Sequence, residues 1–415
     1  MKKECVALLL AGAVLLSGCA NLFAAEYSYT EPYSNNIGRS DGDATEISNY
    51  NMLKSALVDL INRHDERGVF RFSRYNGSVA DDLAAACLEV RTANPLGAYA
   101  VENLSYDTSR IVAYYTAEIE VTYKKSAEEI RHIVGVSGVP ELENRLRETV
   151  TAFEDEAVLR VYSAQVDERS IAALVEGFHL SDPAAVVTEP EVEIDSYPSE
   201  GINRIYDVRL RYGVSAAQAR LMSGQLSARV RELADEMEEE SLPALALECA
   251  ECLYGLLTES AGSFGDTAYG AILLHGADDK GVALAYKALC DALGIECIVV
   301  RGNIGDMGAE EHYWNILGLE GAYYHADVSA FGGDRSAAFL LDDAGLWGVY
   351  LWDAAAYPAC TGSLRYADVA PEGAAPMQEE EAEEAPEEPG PEDDAPPEEE
   401  PEEPQEEETE HPDGL

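Results

Sequence analysis

Basic residues are scarce in this chain. Its 415 residues include 28 Lys and Arg against 79 Asp and Glu, which leaves a formal net charge of −51. From Gln378 to the end there is no Lys or Arg, and carboxylates alternate with prolines. The rest of the chain remains acidic, at roughly −30. This balance argues against a nucleic-acid partner, because phosphate backbones need clustered Lys and Arg, and it disfavours electrostatic adhesion to anionic lipid.

Cysteine is also sparse, with 8 residues in the whole chain, which is too few for a disulfide scaffold of this size. Cys249 and Cys252 form a CxxC inside an apolar, helical stretch, and neither a second ligand pair nor a histidine cluster follows them. A packed helix face is therefore favoured over a metal or redox site. The sequence predicts no metal site and no other cofactor.

The N-terminal apolar run over residues 6–16 is too short for a transmembrane helix. It follows Lys2 and Lys3 and ends in Leu-Ser-Gly-Cys19, an order typical of a secretory signal. This ending resembles a bacterial lipobox, whose cysteine is acylated and becomes the new N-terminus after cleavage. The resemblance implies an extracytoplasmic protein anchored to the bacterial membrane through lipidated Cys19. The alternative is an ordinary cleaved signal with a chance cysteine.

The middle of the chain contains an internal repeat. A shift of 89 residues places "LKSALVDLINRHDERGVFRF" on "LENRLRETVTAFEDEAVLRV" and Tyr123 on Tyr212. Each copy has the pattern of a helix, a strand, a helix, two more strands and a serine-capped helix. The repeat predicts two small α+β modules, at 49–136 and 137–225, each with a sheet on one side and helices on the other. Neither copy shows a cluster of titratable residues, so spacing or binding is the expected role.

Four other segments complete the predicted organisation of an α+β protein. Residues 1–19 form the signal peptide with its lipobox, and 20–48 form a flexible tether. Residues 226–366 form a third α+β domain. The acidic, proline-rich tail at 367–415 cannot bury a core and is predicted to be disordered.

The third domain has an informative order of elements. In "HGADDKGVALAYKALCDALGI", residues 275–295, apolar residues at helical spacing begin directly after Asp278 and Asp279. Next come a buried strand in "ECIVVRGNIG" and a hairpin in "EEHYWNILGLEGAYYHADVSA", with its turn at the Glu-Gly pair. The two hairpin strands carry His312 and Asp327. The aspartate pair therefore lies where a buried helix begins, close in sequence to a histidine and an acid on strands.

Such an order can build a nucleophile, a base and an orienting acid. A cysteine at a helix N-terminus has a depressed pKa, because the positive end of the helix favours the thiolate. A histidine on a neighbouring strand can act as its base, and an acid on the next strand can orient that histidine. His312 and Asp327 occupy the last two positions. A second histidine, His325, is expected to be a packed strand residue.

These segments resemble the transglutaminase-like core, which is a papain-like cysteine fold. The resemblance is carried by "TAYGAILLHGADDKGVALAYKALCDALGIECIVVRGN", by "HYWNILGLEGAYYHADVS" and by the closing "YPACTG". It implies that Asp279 stands at the position of the catalytic cysteine, with His312 as the base and Asp327 as the acid. The candidate binding residues are Trp314, Asn315 and His275.

The nucleophile that the resemblance calls for is thus replaced by an aspartate. Asp279 or Asp278 is expected to cap the helix and complement its dipole, which contributes about 1 kcal/mol. Cys290 cannot easily substitute, because it lies about eleven residues further on, roughly 16 Å along the helix. A carboxylate is a poor nucleophile for amide exchange. We therefore expect His312 and Asp327 to persist as a hydrogen-bonded pair or as ligand contacts.

Three functions follow from the sequence. The first is a membrane-anchored lipoprotein whose degenerate, non-catalytic transglutaminase-like domain binds a peptide, a peptidoglycan stem or a partner protein. The second is an active cysteine-type peptidase, amidase or acyltransferase with another nucleophile, such as Cys290 or Cys297, near His312. The third is a structural protein of the cell envelope in which the repeated modules carry the role.

Overall fold

The computed structural model describes residues 44–305 and 310–370. The predicted lipobox with Cys19, most of the predicted tether and the acidic tail beyond residue 370 lie outside the described residues. Within the described ranges, no helix is both long and apolar enough to cross a membrane. The predicted α+β class is confirmed: three mixed or antiparallel sheets of four, four and five strands are combined with packed helices.

The first module is a four-stranded sheet with the order β1-β2-β4-β3, in which β1 and β2 are parallel and the other pairs antiparallel. Alternation along β4 buries Ala117, Ile119 and Val121 against the helices. Its elements are β1 (Ala44–Glu46), α1 (Tyr50–Asn62), β2 (Arg67–Phe72), α2 (Val79–Ala93), α3 (Pro95–Ala100), β3 (Val101–Ile111), β4 (Tyr114–Tyr123) and α4 (Ala127–Arg131).

The second module repeats this layout, with the order β5-β6-β8-β7 and a parallel first pair. Serines cap the closing helix of each copy, Ser126 at α4 and Ser215 at the equivalent helix, α7. Its elements are β5 (Val134–Val136), α5 (Val139–Thr151), β6 (Glu156–Tyr162), α6 (Glu168–Ser181), β7 (Glu191–Tyr197), β8 (Asn203–Arg211) and α7 (Ala216–Asp235).

The module boundaries differ from the predicted ones. Strand β1 lies inside the predicted tether, 20–48, and strand β5 lies inside the predicted first module, 49–136. Each of these three-residue strands pairs in parallel with the next strand of its own sheet, so the modules begin at Ala44 and Val134. Three residues are too few to show a period-two pattern, which is why the sequence did not reveal them.

The two modules are packed together through the outer face of the second sheet. Val158 and Ile205 project from that face into the core of the first module. Beside them, the Lys125 ammonium lies 3.1 Å from Oδ2 of Asp207, whose side chain is buried. Glu156 adjoins the pair, and burial raises the pKa of its carboxyl, as does the charge of Asp207. This titratable cluster was not expected, because its members come from distant parts of both copies.

The predicted boundary at residues 225 and 226 falls in the middle of α7. The first half of this helix packs through Ala219 and Met222 on Phe153 of the second module. Its second half contributes Leu226 and Val230 to the core of the third domain. The second module and the third domain therefore share one continuous helix.

The third domain places helices against a five-stranded sheet with the order β12-β11-β10-β9-β13. The predicted hairpin turn is confirmed: Glu320 and Gly321 have φ of 53° and 84°, the left-handed pair that a two-residue hairpin requires. Its elements are α8 (Leu242–Leu256), α9 (Ala268–Leu273), α10 (Asp279–Ala292), β9 (Glu296–Ile304), β10 (Glu310–Leu319), β11 (Ala322–Ala326), β12 (Phe339–Leu341), α11 (Asp343–Leu346), β13 (Tyr350–Leu351) and α12 (Tyr366–Val369).

Candidate functional site

The aspartate pair at the start of α10 divides two tasks. Asp278 is the N-cap residue, and its carboxylate accepts a 2.9 Å hydrogen bond from the backbone N–H of Gly281. Asp279 is the first residue inside the helix. Its carboxylate is turned towards β10, where Oδ2 accepts a 2.8 Å hydrogen bond from the backbone N–H of Tyr313. Asp279 therefore connects the helix to the sheet and is not the capping residue.

The structure brings Asp279, His312 and Asp327 together, and we call these three residues the His312 triad. His312 projects from β10 between the two acids. Its Nδ1 lies 2.8 Å from Oδ2 of Asp279, and its Nε2 lies 2.7 Å from Oδ2 of Asp327. The His312 side chain is 10% exposed and that of Asp279 27%, so the aspartate forms the outer side of the triad.

Both ring nitrogens of His312 face carboxylate oxygens, which only accept hydrogen bonds when ionised. Burial alone lowers the pKa of His312, but hydrogen bonds and charge from Asp279 and Asp327 outweigh it and raise the pKa to about 9. Burial raises the pKa of each aspartate, and the opposing hydrogen bonds hold both below their ordinary value. At neutral pH the triad is an imidazolium between two carboxylates, with a net charge of −1.

This protonation state has a direct chemical consequence. A general base must be neutral at the working pH and must present a free lone pair to the proton that it removes. His312 is protonated on both nitrogens, and both protons are already donated to carboxylates. The ring is therefore charged at neutral pH, and neither ring nitrogen offers the free lone pair that a general base needs.

Asp327 is fixed from three further directions. It lies directly after β11, and its side chain caps a short 3-10 turn. The strand therefore ends one residue before Asp327, which the sequence had placed on it. Its Oδ1 accepts hydrogen bonds from the Ser329 backbone N–H, at 3.1 Å, and from the Ser329 hydroxyl, at 2.6 Å. The Tyr350 hydroxyl donates to Oδ2 at 2.7 Å. These donors stabilise the ionised form of Asp327 inside the protein.

Tyr350 is the residue of this site that the sequence did not reveal. It lies on β13, a two-residue strand, and its ring packs edge-on against His312 at 5.6 Å and Trp314 at 5.1 Å between centroids. Burial, followed by the charge of Asp327, raises the pKa of the Tyr350 hydroxyl, which remains a donor. The only signal in the sequence was the density of aromatic residues in "LWGVYLW".

Two predicted binding residues, Trp314 and Asn315, lie on β10 shortly after His312, and each has 1% of its surface exposed. The Trp314 ring is stacked on His312, with centroids 6.0 Å apart and planes 19° apart. The Asn315 side chain donates to the Ala283 carbonyl of α10 at 3.0 Å, and within residues 44–305 and 310–370 its own Oδ1 has no hydrogen-bond partner. Both residues support the site from inside the domain.

The third predicted binding residue, His275, lies in the turn between α9 and α10. Its backbone has a φ of 62°, and its carbonyl accepts hydrogen bonds from the N–H groups of Thr258, at 3.0 Å, and Glu259, at 2.9 Å. These hydrogen bonds join the loop after α8 to the turn that precedes α10. Its structural contribution is made by the backbone, in the turn that leads into Asp279.

A second polar cluster contains His325, Asp343 and Cys360, whose potential ligand atoms lie within 4.8 Å of one another. Trp314 donates its ring N–H to Nδ1 of His325 at 3.0 Å, so the proton of the neutral imidazole is on Nε2. That nitrogen lies 2.9 Å from Asp343 and donates to it. A metal bound at Nε2 would have to displace this proton. Nδ1 could not take the proton up, because it already accepts the hydrogen bond from Trp314. The cluster therefore fits a hydrogen-bonded anchor.

The thiols proposed as alternative nucleophiles lie in the core of the domain. Cys290 on α10 and Cys297 on β9 are both buried, and burial raises the pKa of each thiol well above its ordinary value. Cys297 also accepts a 3.4 Å hydrogen bond from the Asn315 side chain. All six cysteines of the described residues, Cys249 and Cys252 on the packed face of α8 among them, are free. Cys290 and Cys297 lack the exposure and the thiolate character of a nucleophile.

Comparison with known proteins gives structural neighbours only. No protein-family model matches the chain, and no curated protein does. One similar solved structure is a protein described as a candidate cysteine protease from Cytophaga hutchinsonii, at 16% identity over 41% of this chain and 69% of that one, with a TM-score of 0.24. Another is a transglutaminase, at 14% identity over 55% of this chain and 66% of that one, with a TM-score of 0.21. Both TM-scores lie far below 0.5.

Proposed function

We propose that the third domain is a non-catalytic binding domain with a transglutaminase-like core, in which an aspartate has taken the place of the nucleophile. Its ligand is a peptide, a peptidoglycan stem or a partner protein. The observation that carries the proposal is the His312 triad, since a charged imidazole whose two ring nitrogens both face carboxylates is not available as a general base, and a carboxylate stands where a thiolate would be needed.

The lipoprotein part of the proposal rests on the sequence of residues 1–19 alone. Acylation of Cys19 would place the domains outside the cytoplasm, attached to the membrane through two or three acyl chains. Mass spectrometry of the mature N-terminus tests this directly. A lipid-modified Cys19 supports the anchor, and an unmodified Cys19 thiol, cleavage at another position or a retained Met1 would contradict it.

The non-catalytic assignment is tested with acyl-transfer and peptide-hydrolysis assays on the wild type, on Asp279→Cys and on Asp279→Cys with His312→Ala. The wild type is expected to be inactive. A cysteine at this helix N-terminus beside His312 should react with iodoacetamide faster than the same cysteine in the double variant, because His312 stabilises the thiolate. Thiol labelling thus shows whether position 279 and His312 keep a geometry in which the ring can stabilise a thiolate, even without a known substrate. Turnover by the wild type would show that the proposal is wrong.

A further inference from the structure

The turn between β3 and β4 of the first module carries the run "IVAYY", residues 111–115, and we call these residues the tip. Val112 is fully exposed, Ile111 is 43% exposed and Tyr115 38%. Along β4, burial under the helices begins only at Ala117. Single exposed apolar residues are common on protein surfaces, but an adjacent group of them marks an interaction surface.

The internal repeat shows that the fold does not require this tip. The shift of 89 residues places "IVAYY" on "EGINR", residues 200–204, at the turn between β7 and β8. That turn has one large apolar residue, Ile202, together with two charged residues and no aromatic one. Strands β7 and β8 nevertheless pair antiparallel, as β3 and β4 do. The apolar and aromatic run is therefore a feature of the first module alone, and the hairpin can form without it.

The end of the first sheet that carries the tip is locally basic. Residues 70–80 and 108–117, at the end of β2 and around the tip, contain no Asp or Glu and three arginines, Arg71, Arg74 and Arg110. Arg71 is paired with Glu46 at 3.4 Å, whereas Arg74 and Arg110 have no ion pair within the described ranges. The net charge of −51 opposes adhesion of the whole chain to anionic lipid, but the charge at this end attracts phosphate headgroups.

The tyrosines and arginines of this end have the chemistry of a membrane–water interface. The Arg71 guanidinium lies 5.1 Å from the centroid of the Tyr114 ring, and that of Arg110 lies 5.6 Å from the Tyr115 ring. Tyrosine combines an apolar ring with a polar hydroxyl, and arginine combines an apolar stem with a charged head. Such side chains can reach the headgroups while their apolar parts enter the acyl boundary, where tyrosine is enriched in membrane proteins.

The predicted anchor can bring the tip to the same bilayer. The 24 residues from 20 to 43 separate Cys19 from the first described strand, and a chain of that length spans at most about 80 Å. Strand β1 begins at Ala44, which is level with Glu118 of β4 through the intervening strand β2. Glu118 is six residues from Val112, or about 20 Å along the strand. The N-terminus and the tip can therefore contact one membrane.

We propose that the tip inserts into the headgroup region of the membrane that carries the N-terminal anchor. Ile111 and Val112 enter the acyl boundary, and Arg74 and Arg110 meet lipid phosphates. The apolar area of the tip is small, so the anchor supplies the attachment and the tip orients the first module on the bilayer. This assignment rests on the lipoprotein proposal above and names the lipid surface as a partner of the first module.

The test measures tryptophan quenching by brominated phosphatidylcholine in vesicles that also contain a nickel-chelating lipid. The chain from residue 20 onward contains every described residue, and an N-terminal hexahistidine tag holds it on these vesicles in place of the lipid on Cys19. Val112→Trp reports on the tip, and Leu88→Trp is the matched control, because Leu88 is 56% exposed on α2 of the same module. The parent chain gives the background of its three native tryptophans.

We expect Val112→Trp to add emission that the brominated lipid quenches, and Leu88→Trp to add emission that it does not quench. Addition of Ile111→Asp to Val112→Trp should abolish the extra quenching, because a carboxylate at the tip has to leave the acyl boundary. The same proteins on vesicles without bromine should show a blue shift for Val112→Trp only.

Equal quenching at positions 112 and 88, or quenching that survives Ile111→Asp, would overturn the insertion of the tip. Self-association without vesicles that is lost in Val112→Ser would identify a second copy of the chain as the occupant, and would also overturn it. The nickel lipid makes these results independent of lipidation. An unmodified Cys19 in mass spectrometry would therefore refute the anchor alone, and an unquenched tip beside a lipid-modified Cys19 would refute the insertion alone.

Discussion

The protonation of His312 can be measured directly, because NMR reports the titration of each histidine ring. His312 has a pKa of about 9 in the folded protein, compared with an ordinary value of 6.5. Asp279 and Asp327 cause this rise, since both carboxylates lie within 2.8 Å of the ring nitrogens. We expect the His312 ring to remain charged throughout the neutral range and to titrate near pH 9.

The shift also determines how this site contributes to stability. A folded-state pKa above the unfolded one means that the folded protein binds the proton more tightly. The stabilisation is therefore complete below about pH 6.5 and is lost as the pH rises through about 9. A difference of this size corresponds to about 3 kcal/mol in the free energy of unfolding. Unfolding in urea at pH 6 and pH 9.5, compared between the wild type and His312→Gln, should show that loss in the wild type only.

Asp279→Asn tests the cause of the shift. The amide keeps the size of the side chain and an oxygen for the Tyr313 N–H, but it removes one of the two charges beside His312. The pKa of His312 should fall by about one to two units and stay above its ordinary value, because Asp327 remains. His325 provides a control in the same spectrum, since burial lowers its pKa and it should stay neutral. A wild-type His312 that titrates below pH 7 would refute the charged triad.

Three other predictions follow from buried groups. Lys125→Met should destabilise the junction of the modules by about 3 kcal/mol, measured by urea unfolding, because buried Asp207 loses its nearest cation and keeps only Arg209 at 3.4 Å. Gly302→Ala should lower the melting temperature, because the new β-carbon would collide with the Leu351 carbonyl oxygen and the Trp314 ring. Cys290 should resist iodoacetamide in the native protein and react only after unfolding, as read by mass spectrometry.

The sequence predicted those parts of the site that have a periodic pattern. Apolar residues at helical spacing predict helix α10, and alternation on both sides of a Glu-Gly turn predicts the β10–β11 hairpin. The positions of Asp279 at the start of the helix and of His312 on the strand followed from the same patterns, whereas Asp327 lies one residue beyond its predicted strand. The structure places both aspartates within hydrogen-bonding distance of His312. Their charge state did not follow, because it depends on distances of tenths of an ångström between residues far apart in the chain.

The sequence did not predict the elements that are defined by their partners. Strands β1, β5 and β13 have two or three residues each and exist as strands only through pairing. Tyr350 reaches Asp327 because β13 pairs with β9. No local sequence pattern signals the pairing of these strands or the contact that depends on it. The sequence also did not predict that α7 runs continuously across two domains, although its helical pattern is clear. Its apolar residues form one helical face, but the two halves of that face pack on different cores.

The aspartate at position 279 satisfies three demands at once. As the first residue of α10 it complements the positive end of the helix. Its Oδ2 accepts a hydrogen bond from the Tyr313 N–H, which connects the helix to strand β10. The same oxygen accepts from His312 and keeps the imidazole charged. A cysteine could complement the helix end and the His312 charge only as the ionised thiolate. An alanine could do neither and could not accept the Tyr313 N–H. Asp279 therefore connects helix and sheet and, through the same carboxylate, keeps the His312 ring charged at neutral pH.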